Sequence, residues 1–283
     1  MSNVYHHIAE KMGQMSKSHV KIAKYILENP NNVPFLTVEK LAKMAGVSDA
    51  TVVRFATFLG YSGYPELQQY MQNSVQKQLT TTERLKMSTQ VYDEEESGVY
   101  EVFQDDIANI KSTMEKLDLD AFNQAVECLL QAKRVYIVAN RSAGALGVFL
   151  QYYLHIILND VKLLQSVETT PERLYDLNKD DVVIGISFAR YTKSTLQIFS
   201  FAKKKGAATI AITDNLLSPL IPYSDISLTA SSQMPTFIDS FVAPLSLINA
   251  LITFVGKEKQ EDFYNRLEVL EEVWSHFDIF HQK

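Results

Sequence analysis

The sequence predicts a protein of two domains, an all-α head followed by an α/β domain built on a doubly wound parallel sheet. In residues 1–80, apolar residues recur at helical spacing between turn signals, and no stretch is a convincing strand. From Lys133 onward, short apolar runs alternate with helix-length segments, as buried parallel strands do. Between the two, residues 80–103 are polar, threonine-rich and then acidic, which is typical of a linker.

The head is expected to contain four helices, two of them in a helix-turn-helix arrangement. The helices are predicted around Ile22–Leu27, from Thr37 to Gly46, from Ser48 to Gly60, and from Pro65 to about Leu79. A short turn at Gly46 separates the second from the third, and Ser48 can cap the third. A plain helical hairpin has the same local pattern, so the spacing alone leaves both interpretations open.

The helix after Gly46 has an apolar face and a face suited to the major groove of DNA. A helical wheel turns the following residues inward: Val52, Phe55, Ala56 and Leu59. The outward residues are Ala50, Val53, Arg54 and Thr57. This outward surface is small, mostly uncharged and carries one arginine, so it can contact methyl groups and base edges. Ser48 and Thr51 lie near the helix N-terminus, where they can meet a phosphate or a base.

The second half of the chain is predicted to form five strands. They are RVYIVAN (134–140), VKLL (161–164), DVVIGIS (181–187), AATIAIT (207–213) and DISLTA (225–230). Helices are expected near Gln104–Glu115, Leu119–Gln131 and Phe241–Phe254, and the C-terminal stretch is an amphipathic helix. The alternation predicts a parallel sheet with helices on both of its faces.

Charge is distributed unevenly between the two parts. The whole chain carries a net charge of −6, yet residues 1–80 hold eight Lys and Arg residues against five acidic ones. The head is therefore +3 and the remainder −9. A small basic head on an acidic body favours a nucleic-acid contact in the head.

Composition argues against several classes of protein. The single cysteine, Cys128, excludes a disulfide framework and a cysteine-based zinc site, and we expect it to be a small core residue. The six histidines show no metal-binding spacing, so no metal and no cofactor is expected. Because the chain has neither a leader peptide nor an apolar run of about eighteen residues, we expect a cytoplasmic protein without a membrane contact.

The stretch from Lys17 to Met71 contains the motifs AGVS (45–48), ATVVRF (50–55) and LGYSGY (59–64). It resembles the N-terminal domain of RpiR-type (MurR/RpiR) bacterial transcriptional regulators. The resemblance implies that the head binds operator DNA, with these candidate contacts: Lys43, Ser48, Ala50, Thr51, Val53, Arg54 and Thr57.

One departure concerns the phosphate contacts. Members of the family often carry basic residues just before the Leu-Gly pair, where this chain has Thr57-Phe58. Two expectations follow: the affinity for DNA phosphates is weaker than in those members, or it is supplied by Lys17, Lys21, Lys40 and Lys43.

The segments RVYIVANRSAGALG, DVVIGISFARYTKST, AATIAITDNLLSPL and IDSFVAPLSLINAL are similar to a SIS (sugar isomerase) domain. RpiR-type regulators join this domain, which binds phosphosugars, to their DNA-binding head. The resemblance implies a DNA-binding domain at 1–80, a linker at 81–103, and a ligand-sensing and oligomerisation domain at 104–283.

The loop that holds phosphate in the family is altered in this chain. The family sequence is Ser-x-Ser-Gly-x-Thr followed by Lys-Glu-Thr. Ser187, Thr192 and Thr195 are retained, but Ala189 replaces a serine, Arg190 the glycine and Ser194 the glutamate. In the late helix, Asp239-Ser240-Phe241 replaces Glu-Ser-Arg.

Three interpretations of this site remain open. It binds a sugar phosphate, it binds a different small acid, or it is empty and Arg190 only caps structure. Under the first two, an anion lies over the helix that begins near Thr192, and the candidate ligand contacts are Ser142, Ser187, Arg190, Thr192 and Asp239. Arg190 can compensate for the hydroxyl missing at Ala189 by pairing with a phosphate or a carboxylate.

Two functions of different classes fit the sequence. The first is a DNA-binding transcriptional regulator controlled by a small anionic metabolite such as a sugar phosphate. The second is an aldose–ketose phosphate isomerase, which needs a base beside the substrate. Asp239 is the only plausible base near the expected site, and His155, on an apolar helix, is expected to be packed in the core. Without a convincing base, and with the phosphate loop altered, we expect no enzyme activity and no catalytic residue.

A homo-oligomer, either a dimer or a tetramer, is expected. One helix-turn-helix reads too few bases for useful specificity, so two heads related by a two-fold axis are needed. The helix Leu146–Leu158 is richer in Tyr and Phe than one core requires, which makes it the expected contact between copies.

Overall fold

A computed structural model of the chain describes residues 4–76, 80–92, 97–166, 168 and 170–281. The chain folds into two compact units. The first is Met1–Asp105 together with Met234–Asp239, and the second is Asp106–Gln233 together with Ser240–Lys283.

The first unit is helical over its described residues. Its helices are α1 (Val4–Lys11), α2 (Lys17–Glu28), α3 (Val38–Ala45), α4 (Asp49–Phe58), α5 (Tyr64–Gln76), α6 (Thr81–Val91) and the start of α7 (Ser97–Glu115). The four predicted head helices are confirmed as α2 to α5, and the expected end near Leu79 lies outside the described residues. Fully buried side chains from α1 to α5, among them Ile8, Ile22, Leu41, Phe55 and Leu67, meet in one core.

Local signals at both ends of α3 define the turn of the helix-turn-helix. The hydroxyl of Thr37 accepts a hydrogen bond from the backbone N–H of Lys40, which is an N-cap. Gly46 ends the helix in the left-handed conformation at φ 64°, where a side chain would be strained. The chain then reaches α4 with Ser48 as its N-cap residue.

The segment 81–103, predicted as a linker, contains α6 and the beginning of α7. Its weak apolar periodicity predicts no helix there. A capping box nevertheless starts α6, because the Thr80 hydroxyl accepts from the Glu83 N–H while the Glu83 carboxylate accepts from the Thr80 N–H. The division of the chain at 80 and 103 stays a prediction.

The second unit is built on a five-stranded parallel sheet. The strands are β1 (Arg134–Ala139), β2 (Val161–Leu164), β3 (Asp181–Ile186), β4 (Ala208–Thr213) and β5 (Ile226–Thr229), in the order β2-β1-β3-β4-β5. All four pairings are parallel, and all five predicted strands are confirmed. The helices are α8 (Leu119–Gln131), α9 (Gly144–Leu158), α10 (Pro171–Leu174), α11 (Lys193–Lys204) and α12 (Val242–His276), with a break at Gln260.

Helices cover both faces of the sheet, so the predicted doubly wound architecture is confirmed. On one face, Ile137, Ile184 and Ile212 pack in a core with α8, α9 and α12. On the other, Tyr136 and Val183 pack with α11 and the segment around α10. Because successive strand residues point to opposite faces, the central strands β1 and β3 carry apolar side chains on both faces.

The expectation that His155 is a core residue is wrong. In α9 the buried residues form one stripe: Leu146, Gly147, Leu150, Leu154 and Ile157. His155 lies outside that stripe and is exposed. The helix is apolar almost all round, so its sequence does not show which side faces the sheet.

Two glycines bring helices unusually close to the sheet. A Cβ placed on Gly185 in β3 would lie 2.6 Å from the ring of Phe199 in α11. A Cβ placed on Gly147 in α9 would lie 2.6 Å from the Cβ of Ala139 in β1. Real Cβ atoms do not approach so closely, so the absence of side chains at these two positions fixes how near α11 and α9 lie.

We expect Gly185→Ala to lower the free energy of unfolding by about 1–3 kcal/mol, because the added methyl group must displace the Phe199 ring. Urea unfolding of the full chain measures this. Gly13→Ala is the matched control, since a Cβ there meets no atom within 4 Å. Phe199→Leu in the Gly185→Ala background should recover part of the loss, and wild-type stability of Gly185→Ala would contradict the expectation.

Candidate functional site

The predicted orientation of α4 is confirmed. Its inward residues are buried: Val52, Phe55, Ala56 and Leu59. Its outward residues are exposed: Ala50, Val53, Arg54 and Thr57. The candidate DNA surface therefore lies on the free side of the second helix of the helix-turn-helix, where a recognition helix reads base edges. Its contacts with DNA stay a prediction.

Side-chain contacts along α4 order this surface. The hydroxyls of Ser48 and Thr51 lie 2.8 Å apart, and Arg54 Nη2 donates to Thr51 Oγ1 at 3.3 Å. The Thr57 hydroxyl donates back to the carbonyl of Val53 at 3.2 Å. The guanidinium is thus drawn toward the N-terminal turn of α4, where the helix dipole also favours an anion.

His19 of α2 borders this surface and was not among the predicted residues. Its ring lies 5.6 Å from that of Phe55, centroid to centroid, and 5.4 Å from that of Phe58. Burial, and then the charge of Arg54, lower the pKa of His19. The imidazole is therefore neutral at physiological pH and packs as an aromatic ring, a role that its sequence position does not signal.

Three of the four lysines expected to contact phosphates are exposed, namely Lys17, Lys21 and Lys43. Lys40 differs, because its Nζ lies 2.7 Å from the carboxylate of Glu101 on α7. Both side chains of this pair are about one-third exposed. An acid from the segment predicted as a linker thus competes with phosphate for Lys40.

The candidate anion site lies where β3 ends and α11 begins. Ser187 directly follows β3, and its Oγ accepts from the backbone N–H of Thr192 at 3.4 Å. Thr192 is the N-cap residue of α11, but its own side chain makes no capping hydrogen bond. The Ser187 hydroxyl therefore lies beside the first turn of α11, and the binding of an anion there stays a prediction.

Arg190 adopts the backbone conformation that glycine favours. Its φ is 63°, in the left-handed region, and its side chain is exposed. A non-glycine residue in this region costs about 1–2 kcal/mol. The loop therefore keeps the path that a glycine would allow and adds a guanidinium to it.

Arg141, which was not among the predicted site residues, repeats this arrangement after β1. Its φ is 57° and its side chain is exposed. The next residue is Ser142, also exposed, in the turn Arg141–Ala143. Because Ala139 of β1 pairs with Ile186 of β3, the two loops leave the same edge of the sheet side by side. Ser142 and Ser187 are thereby brought to one edge, each next to an arginine-bearing loop.

A buried polar network supports the loop after β3. Thr213 Oγ1 lies 2.7 Å from the carbonyl oxygen of Ser187 and 2.8 Å from Ser218 Oγ. The Tyr191 hydroxyl donates to Asp214 at 2.8 Å. Burial, and then the charge of Asp214, raise the pKa of Tyr191, so the phenol keeps its proton and remains a donor. This network was missed, although polar residues directly after the apolar strand ATIAIT signal it.

Asp239 lies in the segment Met234–Asp239, which belongs to the first unit. Arg84 of α6 donates to the Asp239 carboxylate at 2.7 Å and to the carbonyl of Ile238 at 2.7 Å. The two charged side chains are 5% and 14% exposed. The carboxylate suggested as an isomerase base is thus held in a nearly buried ion pair, which no local sequence pattern predicts.

The chemistry available at these places is that of hydrogen-bond donors and fixed positive charge. Among the described residues, no cluster of three His, Cys, Asp or Glu side chains could hold a metal ion. Burial raises the pKa of Cys128 to about 11, so its sulfur remains a thiol packed against the core. No helix in the described part of the chain is long and apolar enough to cross a membrane.

We expect Arg84→Ala to destabilise the protein by about 3–5 kcal/mol, because it leaves the Asp239 carboxylate nearly buried without its counter-charge. Lys40→Ala breaks an exposed pair in the same unit and should cost at most about 1 kcal/mol. The shift of the urea unfolding midpoint of each variant from that of the wild type measures its loss of stability. The double variant Arg84→Ala/Asp239→Ala should be more stable than Arg84→Ala alone; equal stabilities would mean that the pair is not coupled.

Comparison with known proteins gives consistent matches over the whole chain. Residues 2–78 match the helix-turn-helix domain of the rpiR family, and residues 128–254 match the SIS domain. An uncharacterized HTH-type transcriptional regulator of Caldanaerobacter subterraneus subsp. tengcongensis is 30% identical over 279 residues, which cover 97% of this chain and 98% of that protein. The HTH-type transcriptional regulator HexR of Pseudomonas aeruginosa is 25% identical over 284 residues, covering 96% and 95%.

Among solved structures, the sugar isomerase domain of an RpiR transcription factor from Sphaerobacter thermophilus superposes with a TM-score of 0.59 at 26% identity. The superposition covers 61% of this chain and 97% of that one.

Proposed function

The chain belongs to the rpiR family of helix-turn-helix transcriptional regulators with a SIS domain, and on that premise we propose that a small anionic metabolite, bound by the SIS domain, controls its binding to operator DNA. The ligand class is a phosphosugar or a related acid. The observation that carries the ligand proposal is the pairing of loop hydroxyls with two arginines at the carboxyl edge of the sheet.

The ligand proposal rests on donors at that edge. Ser142, Ser187 and Thr192 offer hydroxyls, the start of α11 offers backbone N–H groups, and Arg141 and Arg190 carry positive charge on the same loops. Oxyanions are recognised by this combination of hydrogen bonds and charge. Asp239, also an expected ligand contact, is already paired with Arg84 and is not needed for the proposal.

The DNA proposal rests on the exposed side of α4. Arg54, ordered by Thr51, can reach a base edge, while Ala50 and Val53 fit against methyl groups. Lys43, at the end of α3, is exposed and suits a phosphate contact. Two heads on one operator require a homo-oligomer, a dimer or a tetramer, acting on bacterial DNA in the cytoplasm.

The alternative, a phosphosugar isomerase, has less support. Its base would be Asp239, whose carboxylate is occupied by Arg84, and the relatives are named as transcriptional regulators. We propose that the chain has no catalytic activity. NMR of common sugar phosphates incubated with the protein tests this, and turnover of any of them would favour the isomerase.

For the DNA surface, we expect Arg54→Ala to weaken specific operator binding by about 1–3 kcal/mol, because a bidentate base contact is lost. Lys43→Ala should weaken binding to all DNA sequences alike. It should also lower the number of counterions released on binding, obtained from the salt dependence of the affinity, by about one. Fluorescence anisotropy at several salt concentrations separates the two effects. Glu10→Ala, on an exposed residue of α1, is the control. Unchanged operator affinity of Arg54→Ala would remove that residue from the interface.

For the ligand site, we expect Arg190→Gly to lose at least tenfold in affinity for the ligand and to leave DNA binding by the ligand-free protein unchanged. Glycine is the informative substitution, because it accepts the left-handed backbone without strain while removing the side chain that carries the guanidinium. Thermal shifts with a panel of sugar phosphates, small organic acids and inorganic phosphate identify the ligand and measure the loss. Arg173→Gly, an exposed arginine at the end of α10, is the control. Wild-type ligand affinity in Arg190→Gly would show that hydroxyls alone hold the anion or that it binds elsewhere.

A further inference from the structure

The ion pair of Lys40 and Glu101 joins the first helix of the helix-turn-helix to a residue far along the chain. Lys40 lies in the first turn of α3, and Glu101 lies near the start of α7, 61 residues away. Lys40 Nζ and Glu101 Oε2 are 2.7 Å apart, and each side chain is 33% exposed. Both residues belong to the first unit. The pair is therefore formed within one compact unit and is open to solvent.

Lys40 occupies a position at which a helix-turn-helix meets DNA phosphates. The first helix of this arrangement crosses the DNA backbone while the second enters the major groove. Lys43, which we propose as a phosphate contact, follows Lys40 by three residues, so both lysines lie on one side of α3. The backbone N–H of Lys40 donates to the Thr37 hydroxyl at 3.2 Å, so the ammonium group is the part of this residue that can reach a phosphate.

A second contact holds the part of α7 that carries Glu101. The hydroxyl of Tyr92, which follows α6, donates to the carboxylate of Asp105 at 2.7 Å. Asp105 follows Glu101 by four residues, so the two acids lie on the same side of α7. The Glu101 carboxylate is therefore held at Lys40 by the fold of the first unit in the absence of DNA.

We propose that the Glu101 carboxylate occupies Lys40 in place of a DNA phosphate, so that this ion pair must open when the head binds DNA. The inference rests on the proposed function, because it assumes that the head binds DNA. A carboxylate and a phosphate offer an ammonium group the same kind of charge-assisted hydrogen bond, so they compete for Lys40. The pair thereby lowers the affinity of the head for DNA of any sequence, and loss of the carboxylate raises it.

The pair also has a purely structural explanation. A lysine in the first turn of a helix lies at the positive end of the helix dipole, and an acid beside it offsets that charge. Under this explanation Glu101 affects stability and has no specific effect on DNA binding. The salt dependence of DNA binding separates the two explanations, because only a lysine that gains a phosphate contact releases a further counterion from the DNA.

The test is fluorescence anisotropy of the full chain with a labelled DNA duplex of mixed sequence at several salt concentrations. We expect Glu101→Gln to bind this duplex about two- to fivefold more tightly than the wild type does, the range that an exposed ion pair accounts for. The slope of log affinity against log salt concentration should steepen by about 0.9, the value for one added phosphate contact. Glu39→Gln is the matched control, because it removes the same charge from the exposed neighbour of Lys40 on α3 and leaves the pair intact.

Two double variants identify the lysine that responds. Lys40→Gln/Glu101→Gln has the net charge of the wild type, and we expect it to lose the gain in affinity and in salt slope that Glu101→Gln produces. Lys43→Gln/Glu101→Gln should keep that gain when it is compared with Lys43→Gln alone, because Lys43 lies on the same helix but is not the partner of Glu101. Circular dichroism of each variant verifies that the helices are intact.

Equal affinities and slopes of Glu101→Gln and Glu39→Gln would overturn the inference, since a general effect of charge would then explain both variants. A Lys40→Gln/Glu101→Gln variant that binds as tightly as Glu101→Gln would also overturn it, because the gain would then not come from Lys40. In both cases DNA binding by the wild type leaves the proposed function standing. A wild-type chain that binds no duplex at low salt would instead refute the proposed DNA-binding function, and the inference with it.

Discussion

The close contact between Gly185 and Phe199 is the constraint on which the candidate ligand site depends. Because Gly185 has no side chain, the ring of Phe199 on α11 packs directly against the backbone of β3. The first turn of α11 is thereby held beside the end of β3, and the Ser187 hydroxyl comes within reach of the Thr192 N–H. The Thr213 hydroxyl, which contacts the Ser187 carbonyl and the Ser218 hydroxyl, then holds the loop after β3 in place. The donors at this edge are organised by backbone packing before any ligand arrives, which reduces the ordering that binding requires.

Local sequence patterns were sufficient to predict the five strands and the orientation of α4. A buried strand is apolar on both sides, and a recognition helix has one apolar side. Each pattern can therefore be recognised in a sequence window of about ten residues. The helix α6 was missed because its signal is a cap, Thr80 with Glu83, rather than a period. The pairing of Arg84 with Asp239 joins residues 155 positions apart and depends on the tertiary fold alone. His155 shows the limit of composition, since a helix that is apolar all round does not reveal its buried side.

The altered loop after β3 loses residues that are typical of the family, but it also gains a positive charge at Arg190, whose backbone is left-handed. The hydroxyl missing at Ala189 and the glycine missing at position 190 change both the number of donors and their charge. A guanidinium prefers planar, bidentate oxyanions, and its charge does not depend on pH in the physiological range. With Arg141 in the same conformation after β1, the edge of the sheet is more cationic than hydroxyls alone would make it. For the anion that we propose as the ligand, charge therefore contributes to recognition alongside the hydroxyl contacts.

The first unit includes six residues, Met234–Asp239, that lie far along the chain, within the sequence of the second unit. A single truncation of the chain therefore does not separate the two units. A head expressed only to residue 105 would contain Arg84 without Asp239 and Ile238, the two acceptors of its guanidinium. Swapping heads between relatives meets the same condition, since the donor's α6 must suit the recipient's 234–239 segment. Exchange of single exposed residues on α4 leaves the pair of Arg84 and Asp239 intact, whereas exchange of the whole domain does not.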